Sequence, residues 1–597
     1  MFLRAKVRKK DGKEHRYWSI VENRRTQKGK VIQRHVLYLG EINDAQMETW
    51  CRTIELFEDG RESPRPVALF PADRPAPEMK TEVVQIRLNQ LSLHRPRQWG
   101  ACWLALEIWN QLKLDDFWAE RLLPSREGTR WLNVLKTLTV YRLLDPGSEW
   151  KLHRVWYGKS AMGDLLGEDL EVLPQQNPYR CLDLLLRHKT EMFSFLRERW
   201  EDLFQAGFEV LLYDLTSTYF ECDLPGEGKR KFGYSRDKRP DCVQVVIGLI
   251  VTPEGFPLAY EVMDGNTSDK TTLSGFLEKI EAQYGKANRI WVMDRGVPTE
   301  ETLAQMRTSD PPVHYLVGTP RGKLTKLEQD FLAQPWEKVR ESVQVKLLQK
   351  EDELYVLARS EGRFAKERAM RQRRLKRFWK RLHELQRQKL TRDVLLMKLG
   401  AAKKEAGNAY PLVDIRIPLP NEKVDATTFT FTLNRKKLRQ VRRTEGNYLL
   451  RSNLGVEQNA NLWDYYIQLT EIEAVFRNLK SDLGLRPIYH QKEERIEAHI
   501  FVAFLAYCLH VTLKQRLAVL APGLTPRQAL DKLAEIQMVD VHLPTTDGKK
   551  LILTRYTHPE KDQQLLLHQL KLTLPSQPPP KVTVADLSHS VEKAVAL

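Results

Sequence analysis

FEVLLYDLTSTYFE, residues 208–221, decides the fold class. Its apolar and β-branched run reads as a buried strand, and it breaks the helical pattern that precedes it. An aspartate, Asp214, stands in the middle. Asp is depleted in strands and is seldom buried without a partner, so the strand has to hold it against a metal, an arginine or backbone amides. A carboxylate that merely organises Thr216, Ser217 and Thr218 satisfies the same pattern. Downstream, the basic, Gly-containing loop GEGKRKFGYSRDKRPD (226–241) leads into CVQVVIGLIV and FPLAYEVM, which flank the turn TPEG and predict a hairpin. A helix is expected over 271–285 and a short buried strand at RIWVMDRG (289–296). Strand, strand, strand, helix, strand is the opening order of an RNase H-like fold.

Outward from that core, residues 97–205 read as helical. Trp103, Leu106, Trp109 and Leu112 recur at helical spacing, as do Trp131, Leu135 and Leu138, and both stripes read as core. Residues 1–45 alternate like strands around the basic turn RRTQKGK, and prolines 64, 66, 71, 75 and 77 mark a linker. Residues 321–440 interrupt the core: SVQVKLLQ, ELYVLARS and FTFTLN there read as strands, with a strongly basic helix over about 361–399. A long helix is expected over 460–482, another over 498–513, and the tail beyond 575 reads as loosely ordered. The expected organisation is α/β and multidomain. Residues 1–95 form a basic β-hairpin region and linker, and 96–205 a helical domain. The RNase H-like core spans 206–320 and 441–520, interrupted by an inserted domain at 321–440, and 521–597 is a C-terminal extension.

Two further carboxylates fit the first. Asp294 ends a strand and precedes Arg295-Gly296, at the strand edge where many α/β folds place their sites, although a turn-forming Asp reads the same way. Glu473 lies on the long helix with Tyr466 and Lys480 seven residues to either side, and seven residues is close to two helical turns. An ordinary solvated stripe is the simpler reading of a single Glu. Together the three suit phosphodiester cleavage, in which two hard divalent ions about 4 Å apart activate the nucleophile and stabilise the leaving oxygen.

The charge balance agrees. Lys and Arg number 95 against 78 Asp and Glu, giving +17, which points to a polyanionic partner. The six cysteines form no CxxC pair, and no Cys/His spacing suits a zinc finger. With no apolar leader and no run of 18 apolar residues, the expected location is cytoplasmic, with no membrane partner.

From Tyr466 to Lys480 the chain reads Y-IQ-L-TEI-E-AVFRNL-K, and this resembles bacterial insertion-sequence transposases of the DDE type, in the branch marked by Y-x2-R-x3-E-x6-K. Leu469 stands where that branch carries Arg. YDLTSTYFE, GYSRDKRPDCVQVVIGL, GNTSDKTT, MDRG and RPIYHQKEERIEAHIFVAFLA resemble the branch in the same order, so the resemblance runs from residue 1 to about 515. It implies Asp214, Asp294 and Glu473 as catalytic metal ligands for Mg²⁺ or Mn²⁺, two ions in all. It implies DNA contacts from Tyr466 and Lys480, with Arg477 a candidate to compensate for Leu469. The partners would be double-stranded DNA, both the element's terminal inverted repeats and its target, bound by a homodimer in the bacterial nucleoid. The inserted domain is mostly β in relatives.

Residues 363–389 carry 12 Lys or Arg against two Glu. Arg371, Arg373, Arg374, Lys376 and Arg377 are the candidate phosphate contacts there, against the plainer reading of a solvated basic helix. The N-terminal cluster of Lys6, Arg8, Lys9, Lys10, Arg24, Arg25, Lys28 and Lys30 offers the same choice. Two alternatives to an active transposase stay open: a catalytically silent, transposase-derived DNA-binding protein, which Leu469 favours, and a paired-carboxylate glycosidase, which the basic charge disfavours.

Overall fold

The computed structural model describes residues 2–584 apart from 51–85, 168–175, 222–227, 321–326, 456–461 and shorter breaks. The proline-rich linker and most of the tail expected to be loose lie outside the described residues. The chain divides into two compact units, one formed by 1–6, 16–287 and 468–597, the other by 7–15 and 288–467.

In the first unit the stretch that decided the fold is strand Val210–Tyr219. It pairs antiparallel with Gln244–Val251, Asp214 opposite Leu249, and that strand pairs with Pro257–Asp264 through the expected hairpin. Gly255 closes the turn at φ +96, a conformation that favours glycine. Helix Leu273–Tyr284 follows, and Phe276 packs against Tyr213 of the strand. The Trp stripe is core as read: Trp103, Trp109, Leu135 and Leu138 are buried. Helix Trp131–Leu144 packs along Glu493–Leu520, a 28-residue helix. That helix is long and apolar enough to cross a membrane, yet 89% of its most apolar window is buried inside the protein. It is a core helix.

Two features of this unit escaped the sequence reading. Strand Ser92–Gln98 pairs with Gln537–Pro544, which continues into Lys549–Tyr556 and Lys581–Val584, so the C-terminal region builds a four-stranded antiparallel sheet with an early strand at its edge. Its buried Arg97 binds Asp540 and Asp164. The N-terminal pair Lys13–Arg25 and Val31–Gly40 is seated on the same region, with Gln528 donating to the Tyr38 carbonyl.

In the second unit six strands run in the order Glu337–Arg340, Val343–Lys350, Glu353–Ser360, Asn447–Ser452, His314–Gly318, Ile290–Met293. All neighbours are antiparallel except the last two, which are parallel. Two of the three strands read in the insertion, SVQVKLLQ and ELYVLARS, therefore extend one mixed sheet, and Arg451 binds Glu300 and Glu353. The excursion from the sheet is mainly helical. Glu361–Arg387 and Arg392–Ala406 are two helices where one was expected. Leu382, Leu385, Leu395, Leu399 and Phe429 form their common core, capped by the two-stranded sheet Val413–Arg416 and Thr430–Leu433.

Candidate active site and nucleic-acid interface

Asp214 sits at the centre of its strand, half-buried, between buried Tyr213 and Leu215. Helix Leu469–Arg477 packs against that strand. Ile472, Val475 and Phe476 are its buried side, while Glu473 is exposed. The first unit thus places one expected carboxylate on a strand and another on the helix that covers it. Segment 486–488 then runs beside the end of the strand, where the Ile488 amide donates to the Tyr219 carbonyl at 3.2 Å.

The long helix expected over 460–482 is not continuous. Gln468 is a turn, and residues 478–482 form a π-helical turn in which the Leu483 amide reaches the Asn478 carbonyl. A π-turn adds a residue and shifts the helical phase, and such turns recur at functional sites. Glu473 and Lys480 consequently do not share an environment. Glu473 faces solvent, whereas Lys480 is 9% exposed with its ammonium 2.7 Å from Asp237. Burial lowers the Lys480 pKa, and Asp237 offsets part of that effect. Arg486 binds the same Asp237 oxygen. Arg477 stands on the exposed side of the helix.

In the second unit Asp294 is exposed at the end of Ile290–Met293. The neighbouring parallel strand ends in Gly318, where a methyl group would come 2.8 Å from the Tyr466 hydroxyl and 3.4 Å from an Asp294 carboxylate oxygen. Glycine is needed because both side chains crowd this position. The Tyr466 ring meets Tyr448 edge-on at 5.8 Å, and Arg363 lies 3.7 Å over Tyr448. Asp294 and Tyr466 thus both lie beside Gly318, and Tyr466 is joined through Tyr448 to Arg363 in the first turn of the basic helix. Tyr466, singled out by spacing from Glu473, is a neighbour of Asp294.

The basic helix sorts its cations. Arg371 is buried and binds Glu445 through two hydrogen bonds, of 2.5 and 3.1 Å. Arg373, Arg374, Lys376 and Arg377 are exposed. A second basic helix, Arg435–Thr444, was not read from the sequence; it exposes Arg435, Lys436, Lys437, Arg439, Arg442 and Arg443, with Leu438 buried. Its RKKLRQVRRT pattern, with apolar residues three apart, was the available signal.

Elsewhere in the first unit, Glu149, His490 and His499 bring ligand atoms within 4.8 Å of one another. These are metal-ligand residue types, but the buried Arg142 guanidinium lies 3.7 Å from Glu149 and 3.3 Å from His499. A cation already occupies the cluster. Burial pushes the Glu149 carboxyl up, and the imidazoles of His490 and His499 more than offset it, holding it well below its ordinary value. Burial pushes His499 down to about 4. Arg142 also donates to the Gly484 carbonyl, so the cluster braces the segment that follows Lys480.

Asp214 on a strand and Glu473 on the helix that covers it thus lie in one unit, Asp294 at a strand end lies in the other, and the chain exposes many cations. The profile of the family Transposase DDE domain matches residues 209–509, half of the chain, and that of the IS1634 family transposase N-terminal domain matches 3–62. The chain belongs to the DDE transposases, of the bacterial insertion-sequence kind. The cryo-EM structure of a piggyBac transposase synaptic complex with hairpin DNA is similar over 72% of this chain and 79% of that one, at 7% identity and a TM-score of 0.34, a likeness that carries no argument. No curated protein matches.

Proposed function

We propose that the chain binds the terminal repeats of its own element, cleaves them by metal-dependent phosphodiester hydrolysis, and transfers the 3′ ends to target DNA. The match over 209–509, which spans all three carboxylates, is the observation that carries this reading. Asp214, Asp294 and Glu473 are the catalytic residues, in an RNase H-like core. Their donor set fits the group they would hold: three carboxylates, two of them exposed, are hard oxygen ligands suited to Mg²⁺ or Mn²⁺. When bound, two such ions would supply the charge that activates water and stabilises the leaving oxygen. Gly318 leaves room for Tyr466 beside Asp294, and the Tyr466 hydroxyl is placed to orient the DNA backbone there. Exposed cations on Glu361–Arg387 and Arg435–Thr444 hold phosphates and position the duplex without reading sequence. Partners are double-stranded DNA and a second copy of the chain, since two element ends must be joined, and the reaction belongs in the cytoplasm, on the nucleoid.

The test is nicking of a plasmid carrying the DNA that flanks the coding sequence. Asp214→Asn, Asp294→Asn and Glu473→Gln are each expected to lower Mg²⁺-dependent nicking by at least about 10³-fold while binding persists. Wild-type binding with no nicking in Mg²⁺ or Mn²⁺ would instead mark a silent DNA-binding descendant, the reading that Leu469 favours.

A further inference from the structure

Lys480 is nearly enclosed, and Asp237, at the tip of loop 228–242, pairs with it. The Asp237 side chain is 4% exposed, and its Oδ1 accepts from both Lys480 and Arg486. Its other oxygen, Oδ2, is buried with no hydrogen-bond partner. Buried carboxylates that serve only the fold normally satisfy both oxygens. Two cations share one carboxylate here, and Arg236 adds to the positive field around Lys480. This arrangement is overcharged for Asp237 and under-satisfied by it. A phosphodiester carries the same single charge and, not being tethered to this loop, can turn a separate non-bridging oxygen toward each cation.

The tip has a local structure of its own. Ser235 and Arg239 close it as a local turn, with Lys238 at φ +61, in the left-handed region that non-glycine residues rarely adopt. Among its ties to the strands are the Arg236 amide donating to Ser217 Oγ at 3.2 Å, Gln244 donating to the Tyr234 carbonyl, and Arg239 over the Tyr219 ring and beside Glu221. Ser217 lies three residues along the strand from Asp214, about 10 Å at ~3.3 Å per residue. The loop thus closes over cations beside the strand that bears a candidate catalytic carboxylate.

We propose that Asp237 occupies, in the free protein, the phosphate position that the family resemblance gives to Lys480, that Arg486 completes this position, and that Asp237 is displaced when DNA binds. Arg486 then supplies the basic contact whose usual position holds Leu469. Asp237 is a positioning residue: it keeps the two cations together and keeps the site closed until a polyanion arrives. This rests on the reading of the chain as a DNA-cutting enzyme, and the test separates the two.

The experiment measures binding of the full chain to a fluorescein-labelled 40-base-pair duplex of arbitrary sequence, in EDTA, over a series of KCl concentrations. Asp237→Asn is expected to bind about tenfold more tightly than wild type with an unchanged salt slope, because the competing anion is gone while the contacted phosphates stay the same. Lys480→Ala with Arg486→Ala is expected to weaken binding and flatten the slope of log K against log [KCl] by ~0.9 for each phosphate lost. Unchanged or weaker binding by a folded Asp237→Asn protein would overturn the proposal. If Asp237→Asn does not fold, hydrogen exchange on the wild-type chain decides. The Arg236 amide should exchange faster once duplex is added, and an unchanged or slower rate overturns the proposal. No step needs a metal, so loss of nicking and failure of this subsite are read separately.

Discussion

The two sets of residues expected to touch DNA behave oppositely. Around Lys480 the charges are paired internally: Asp237 holds Lys480 and Arg486, and behind them Arg142 neutralises Glu149 between two histidines. Along Glu361–Arg387 most cations are exposed to water, and Arg371, tied to the buried Glu445, is the most enclosed of the five singled out. Fixed spacing in the sequence marks positions whose charges the fold has organised. Charge density marks a surface that binds by what it leaves unbalanced. A low-dielectric, paired site gives orientation, and an exposed one gives affinity and salt dependence.

The contrast can be broken from either side. Replacing Arg373, Arg374, Lys376 and Arg377 together by Ala should weaken binding of a duplex about 10³-fold at moderate salt, since ~0.9 of the log–log salt slope is lost per phosphate contact and four contacts are removed. The melting temperature should hold. A filter-binding series in KCl measures both, and an unaltered salt slope would show these side chains to be solvated surface. Arg371→Ala, on the same helix, should do the reverse. It leaves Glu445 buried and unpaired, which costs about 3–5 kcal/mol of stability in urea unfolding, with little change in salt slope.

The smallest expected effect concerns pH and belongs to the organised region. His499 faces Arg142, Glu149 and His490. Its folded pKa, about 4, lies below the usual 6.5, so the unfolded chain takes up its proton first as pH falls. Stability is then full above pH 6.5 and declines toward pH 4, by up to about 3 kcal/mol at ~1.4 kcal/mol per unit. His499→Asn should remove that part of the acid decline in thermal melts. An identical decline in the variant would assign it to other groups.

Much of this was legible in the sequence because the signals were local. The strand at 208–221, the hairpin over TPEG and the tryptophan stripe depend on periodicity, and each formed as read. What was not legible depends on distant partners. Nothing near Ser92–Gln98 announces that Gln537–Pro544 will pair with it, and nothing in GYSRDKRPD says that its Asp will cover a lysine 243 residues away. The helical phase argument for Tyr466, Glu473 and Lys480 assumed an ideal helix. The turn at Gln468 and the π-turn at 478–482 changed it, leaving Glu473 exposed and Lys480 enclosed. The basic helix Arg435–Thr444 offers only Leu438 and Val441 as apolar positions, too few for a clear helical period.

The central claim, that Asp214, Asp294 and Glu473 hold metal against the phosphate being cut, is tested most directly by sulfur substitution at that phosphate in a duplex built from the element's end. A non-bridging phosphorothioate should stop cleavage in Mg²⁺, which binds sulfur poorly, and Mn²⁺ should restore it. Cleavage in Mg²⁺ that ignores the sulfur in both stereoisomers would contradict direct metal contact and, with it, the role assigned to the three carboxylates.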